Sequence, residues 1–115
     1  MKYLCLVYTN ETEYETNPDS PKDVECFDYA DKLAKSGHLI DGRPLEPVAT
    51  ATTVRVRNGK MSVTDGPFAE TKEQLAGFYM VEAKDMEEAI QLAAGIPPAR
   101  VGSIEVRPVR ELDTG

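Results

Sequence analysis

Two stretches decide the fold: MKYLCLVYT at residues 1–9 and LAGFYMVEA at residues 75–83. Side chains alternate from face to face along a strand, so a strand with one wet face shows polar residues at every second position. Neither stretch does. Tyr3, Cys5 and Val7 fall on one alternation of the first and Leu4, Leu6 and Tyr8 on the other, while the second sets Phe78 with Met80 and Tyr79 with Val81. Both read as central strands covered on both sides.

Outward from these, Ser20-Pro21-Lys22-Asp23 carries a helix-start signal, with Ser at the cap, Pro at the first helical position and an acid three residues after the cap. Val24, Phe27, Ala30, Leu33 and Ala34 then recur at spacings of three and four and form the expected buried stripe, until Lys35 and Gly37 mark the stop. His38 to Asp41 reads as a short strand, and the two prolines within Gly42–Pro47 are expected to end its pairing. Thr52–Arg57 and Lys60–Asp65 flank Asn58-Gly59, the two-residue signal for a type I′ hairpin. That turn sets the register: positions summing to 117 face each other, which puts Thr52, Val54, Val56, Met61, Val63 and Asp65 on one face. Asp85-Met86-Glu87-Glu88 opens a second helix with Met86, Ala89, Ile90 and Ala93 on its apolar side, and Ser103–Arg110 closes the chain as a strand.

This order predicts an α+β ferredoxin-like sandwich, an antiparallel sheet with two helices on one face, forming one domain over residues 1–115. Both helices cover the same sheet face. The opposite face, apolar in both central strands, then needs cover that 115 residues do not supply, so a homodimer with sheets packed face to face is expected.

Charge narrows the partners. Thirteen Lys and Arg against twenty Asp and Glu give −7, which argues against nucleic acid and an anionic membrane surface. The excess is local: residues 10–31 hold eight acids and Lys22 alone among bases. Cys5 and Cys26 have neither metal-ligand nor redox spacing and read as free thiols. The apolar opening is too short for a secretory core or a membrane span, so a cytoplasmic protein is expected. No phosphate loop, paired His or Cys ligand set, or nucleophile elbow is present, so no metal or cofactor is expected.

Candidate chemistry gathers at Asp65-Gly66-Pro67-Phe68, continuing as Ala69-Glu70. Asp-Gly-Pro is an ordinary strand exit, but the hairpin register sets the Asp65 carboxylate on the side that carries Val54, Val56, Met61 and Val63. His38 is the one histidine and so the one side chain whose unperturbed pKa lies near neutrality. It reads either as a satisfier of helix-terminal carbonyls or as the partner of Asp65 in an acid–base pair. Phe78, Tyr79 and Tyr3 read as core, and Arg55, Arg57, Arg107 and Arg110 as surface charges.

The segment Thr64-Asp65-Gly66-Pro67-Phe68-Ala69-Glu70-Thr71-Lys72-Glu73-Gln74-Leu75, with Gly77-Phe78-Tyr79 after it, resembles the DGPF-type branch of the YCII-related family. Ala51–Arg55 and Val106–Val109 extend the likeness to nearly the whole chain. The resemblance implies the dimeric α+β barrel fold with a cleft in each half. A related branch includes a dechlorinating enzyme of aromatic degradation with a proposed His and Asp acid–base pair, roles that only His38 and Asp65 could fill here. That branch carries its His inside the first helix, and residues 21–36 contain none. Association of DGPF-type genes with extracytoplasmic-function sigma factors implies a regulatory alternative. The sequence therefore leads to a small-molecule-binding homodimer using Asp65 and His38, its cleft shaped by Gly66, Pro67, Phe68 and Glu70. A lyase- or hydrolase-type activity is one form of this reading. The other is a non-catalytic module whose acidic segment meets a regulatory protein partner.

Overall fold

A computed structural model describes all of residues 1–115. Its two central strands, β1 (Lys2–Thr9) and β5 (Gln74–Glu82), pair antiparallel from Lys2 opposite Glu82 to Thr9 opposite Gln74. β6 (Ser103–Pro108) joins the free edge of β1, and β2 (Leu39–Pro44) that of β5, giving the order β2-β5-β1-β6. This is the ferredoxin-like order expected from the sequence. Helices α2 (Asp23–Lys35) and α3 (Met86–Ala94) carry the residues that cover one face. Under them Tyr3, Cys5, Val7, Val81 and Ala83 from the sheet meet Leu33, Ala89, Ala93 and Ile96 in a single buried cluster.

The two ends of the helical layer are held by local chemistry. Asp85 accepts from the amide of Glu88 at 2.9 Å, while the Glu88 carboxylate accepts from the Lys84 amide at 3.0 Å, so orphan amides at the start of α3 are satisfied from both sides. At the end of α2, Gly37 adopts φ +82°, the His38 amide donates to the Leu33 carbonyl and that of Gly37 to Ala34. Those two bonds make a Schellman stop, which requires the left-handed residue that glycine provides.

Several expectations are corrected. The loop after β1 contains a helix, α1 (Glu11–Thr16), capped by the Asn10 side chain accepting from the Glu13 amide at 3.0 Å. The helix expected from Ser20 starts instead at Asp23, with Lys22 at the cap position and no side-chain cap bond. Ser20 Oγ is buried without a partner, and the Pro21 carbonyl is occupied by the Tyr14 hydroxyl at 2.9 Å. The buried stripe of α2 is rotated from the one expected: Val24 and Phe27 are 61% and 69% exposed, while Cys26, Tyr29, Ala30 and Leu33 face the body. The Tyr29 hydroxyl donates to the Leu92 carbonyl at 2.6 Å, an anchor that outweighs the exposed valine and phenylalanine. Finally, β2 does not stop at Asp41 but pairs through Gly42, Arg43 and Pro44. It is an edge strand, where the missing amide of Pro44 costs no ladder bond.

β3 (Thr52–Arg57) and β4 (Lys60–Asp65) form a separate two-stranded sheet. All six pairs match the expected register, from Thr52 opposite Asp65 to Arg57 opposite Lys60, and Asn58 and Gly59 both take positive φ. The hairpin projects as an arm. Its Val54, Val56, Met61 and Val63 are 55–70% exposed, and the Cα radius of gyration of 16.0 Å exceeds the roughly 13 Å of a compact chain this long.

Candidate functional site

The sheet face away from the helices is open. Leu4, Leu6 and Tyr8 on β1 stand beside Met80, Phe78 and Leu75 on β5, and Asp41 and Arg43 on β2 flank them on one side. On the other side, β6 brings Arg107 opposite Leu4, Glu105 opposite Leu6 and Ser103 opposite Tyr8. Each charged edge contains an ion pair, Arg43–Asp41 at 3.1 Å and Arg107–Glu105 at 3.8 Å. An apolar floor between two rims of opposed charges has the anatomy of an interface or a ligand platform. Phe78 belongs to this surface rather than to the core, and Arg107 is exposed at its rim, the surface charge expected from the sequence. The alternation of β1 and β5 signalled a second covered face, but the rim became visible only once the neighbours of β2 and β6 were known.

At one end of this face lies the root of the arm. Thr9 pairs with Gln74, the next residue Asn10 donates from Nδ2 to the Lys72 carbonyl at 2.9 Å, and Glu11 accepts from the Val48 amide at 2.8 Å. Val48 starts a short 3₁₀ turn ending at Thr50, and the carbonyl of the next residue, Ala51, accepts from the Gly66 amide at 2.7 Å. The Thr53 hydroxyl donates to the Gly66 carbonyl at 2.9 Å. Gly66 therefore has both backbone groups tied and takes φ +98°, which lets the chain leave β4 at Asp65 and turn into Pro67. Asp65, Pro67, Phe68 and Glu70 are exposed, Phe68 at 78%. The second half of this loop is pinned: the Thr71 hydroxyl donates to the Glu73 carbonyl at 2.5 Å, and Ser103 donates to the Glu73 carboxylate at 2.8 Å.

His38 sits at the other end. Its amide closes the stop of α2, and its carbonyl accepts from the Glu82 amide at 2.7 Å. Nδ1 lies 2.8 Å from the Glu82 carbonyl oxygen. A carbonyl can only accept, so in this contact Nδ1 is the donor and Nε2 faces away from it. The Glu82 carboxylate is paired with the N-terminal ammonium, whose hydrogen bond holds that carboxyl below its usual range. The links above tie the arm's root to the Thr9 end of β1 and His38 to the Lys2 end, two ends that strand geometry sets roughly 23 Å apart. One chain alone does not bring the two together. Two hollows of the body, an apolar groove of about 270 Å³ between α3 and β6 and a polar one of about 370 Å³ beside Arg100 and Glu25, include neither residue. No cluster of metal-ligating side chains is present, and no helix is long and apolar enough to cross a membrane.

The strand order and the two helices on one sheet face define a ferredoxin-like α+β fold with one apolar sheet face left open. The chain belongs to the YCII-related domain family, whose model matches residues 1–113. It is 42% identical over 116 residues to the uncharacterized protein R00369 of Rhizobium meliloti (strain 1021), covering 95% of this chain and 92% of that protein. Among solved structures it is similar to the 5-chloro-2-hydroxyhydroquinone dehydrochlorinase TftG of Burkholderia phenoliruptrix AC1100, in complex with 2,5-dihydroxybenzoquinone. The TM-score is 0.56 at 14% identity, covering 96% of this chain and 94% of that one, and the likeness is one of fold.

Proposed function

We propose that this protein is a homodimer that binds a small polar or aromatic molecule in a cleft over its open sheet face, with Asp65 and His38 as its proton-handling groups. The carrying observation is the uncovered floor of Leu4, Leu6, Tyr8, Phe78 and Met80 between the Asp41–Arg43 and Glu105–Arg107 rims. Aromatic and aliphatic floors take planar rings, and the rim charges orient polar substituents. Gly66, Pro67, Phe68 and Glu70 shape the cleft in this reading, Pro67, Phe68 and Glu70 being exposed beside the root of the arm. An exposed carboxylate and a histidine with a free Nε2 are suited to general acid–base work of the lyase or hydrolase type. Their separation within one chain makes the second subunit a requirement of any direct pairing.

The alternative is a non-catalytic regulatory module that engages a basic partner through residues 10–31. In that segment Glu11 already holds Val48, Glu25 is bidentate to Arg100 at 2.9 and 3.0 Å, and Asp31 pairs with Lys35 at 2.8 Å. These internal commitments favour the cleft.

Thermal-shift titration of the purified protein with 2,5-dihydroxybenzoquinone and a panel of small hydroxylated aromatics tests the reading. A member that stabilises the wild type and not Asp65→Asn supports it. A panel that stabilises neither protein, together with a monomer by light scattering at micromolar concentration, would overturn it.

A further inference from the structure

The four-stranded sheet ends on two strands whose outer edges differ. β2 is interrupted by a bulge between Leu39 and Asp41 and ends on Pro44, two features that discourage a further strand. β6 pairs with β1 without a bulge from Ser103 to Pro108, and no strand pairs with its other side. Its register fixes which backbone groups are free. The Val109 amide donates to the Lys2 carbonyl at 2.9 Å, so the odd-numbered residues of β6 bond inward to β1. The amides and carbonyls of Ile104 and Val106, and the Pro108 carbonyl, therefore point outward. Beside this edge lies the groove between α3 and β6, lined by Ile90, Ala93, Ala94, Ala99, Ile104 and Val106 with no polar side chain among them. An unpaired strand edge bordered by apolar surface is a template for another strand.

We propose that β6 of one copy of this chain pairs antiparallel with β6 of a second copy about a twofold axis at Val106, joining the two sheets edge to edge. Charge selects that axis. An axis at Glu105 or at Arg107 sets like charges directly opposite each other, and one at Ile104 sets Glu105 against Ser103 and leaves Arg107 unmatched. An axis at Val106 sets Glu105 opposite Arg107 twice and Ile104 opposite Pro108. The Glu105–Arg107 pair within each chain, at 3.8 Å, is kept: the four groups make a square of alternating sign, each guanidinium between two carboxylates. The outward groups also match. The Val106 amides donate to Val106 carbonyls across the axis and each Ile104 amide to the opposite Pro108 carbonyl, so the missing amide of Pro108 falls at the end of the ladder. α3 packs on both β1 and β6. A helix centred between them stands roughly 5 Å from the axis, which brings the two copies of α3 about 10 Å apart, an ordinary packing distance that closes both apolar grooves. A second copy is the fitting occupant because the edge is complementary to itself in hydrogen bonds, charge and apolar surface at one register. This interface uses the sheet edge and not the open face, so it stands independently of the cleft.

The test is disulfide cross-linking between differently tagged chains in a Cys26→Ser background, one chain carrying Ile104→Cys and the other Pro108→Cys. Both positions lie on the helix side of the sheet, with Val7 and Tyr3 opposite them, so packing of the two open faces cannot join them. Paired residues of this kind have Cα atoms about 5.5 Å apart, within disulfide range. Mild oxidation should give a mixed-tag dimer that requires both cysteines. Arg107→Glu in both chains should lower its yield about fivefold or more, and adding Glu105→Arg to both should restore it, because the square of charges is rebuilt with its signs exchanged. Both residues are exposed, so these changes leave the fold intact. Two results overturn the edge pairing: no mixed-tag dimer above the single-cysteine controls, or a yield indifferent to Arg107→Glu. Ligand stabilisation that depends on Asp65 would survive either result, so the two proposals fail separately.

Discussion

The body and the arm are built from similar residues and are held in opposite ways. In the body, Val81 and Ile96 are 0% and 1% exposed and every apolar alternate of β1 under the helices is buried. In the arm, a strand pair of ideal register and turn chemistry leaves its valines more than half exposed. Backbone pairing and a good turn are enough to shape a hairpin but not to bury it. That difference gives each region its own response to mutation.

The largest effect belongs to the body. Ile96→Ala, which empties a fully buried site in the cluster under the helices, should cost about 2–5 kcal/mol in urea unfolding. The same truncation in the arm, Val56→Ala, should cost less than about 0.5 kcal/mol under dilute, monomeric conditions. A loss at Val56 as large as at Ile96 in the monomer would break the contrast by showing that the arm is packed within one chain.

A smaller contrast concerns the helix starts. Asp85→Ala removes the cap bond to Glu88 and should cost about 1 kcal/mol. Ser20→Ala should be neutral or stabilising, because Ser20 Oγ is buried without a partner and its removal leaves nothing unpaired. Equal losses at both positions in thermal melts would restore a capping role to Ser20.

What the sequence made legible follows from how local the determinants are. The register of the arm was readable from Asn58-Gly59 because a two-residue turn with positive φ admits one pairing. The central strands were readable from double alternation, and the start of α3 from Asp85 and Glu88. Asn10 with Glu13 three residues later carried the start of α1, a signal obscured by the run of acids around it. The rotation of α2 was not readable: Tyr29 and Cys26 have no stronger apolar claim than Phe27 and Val24, and the tie to Leu92, 63 residues away, decides it. For the site, the hairpin face carrying Asp65 was legible, but what that face meets is not a property of the hairpin. The distance between Asp65 and His38 likewise depends on which ends of β1 and β5 they flank.

Alkaline titration should report on the body alone. Burial pushes the Cys5 thiol up to about 11 and the Tyr79 phenol up to about 12 from an ordinary 10.0. For each group the folded state holds its proton more tightly than the unfolded state. The associated stability is therefore complete below the unfolded pKa and is lost as pH rises through the folded one. The urea midpoint should fall between about pH 9 and 12, and Tyr79→Phe should flatten the part of that fall above pH 10. An unchanged slope in the variant would show that the phenol is not desolvated as its place against α2 implies.

The smallest expected effect on stability is also the one that separates scaffold from site. Asp65 is exposed, and the turn beside it is held by the backbone of Ala51 and Gly66 and by the Thr53 hydroxyl, none of which needs the carboxylate. Asp65→Asn should therefore unfold within about 0.5 kcal/mol of the wild type in the absence of ligand, as surface substitutions generally do. Gly66→Ala, by contrast, forces a side chain into φ +98° and should cost about 1 kcal/mol or more, although nothing lies within 4 Å of the added carbon. If Asp65→Asn proved the more destabilising of the two in thermal melts, the acid would be part of the fold of the arm. The reverse order leaves its charge free to act on something the arm and the sheet hold between them.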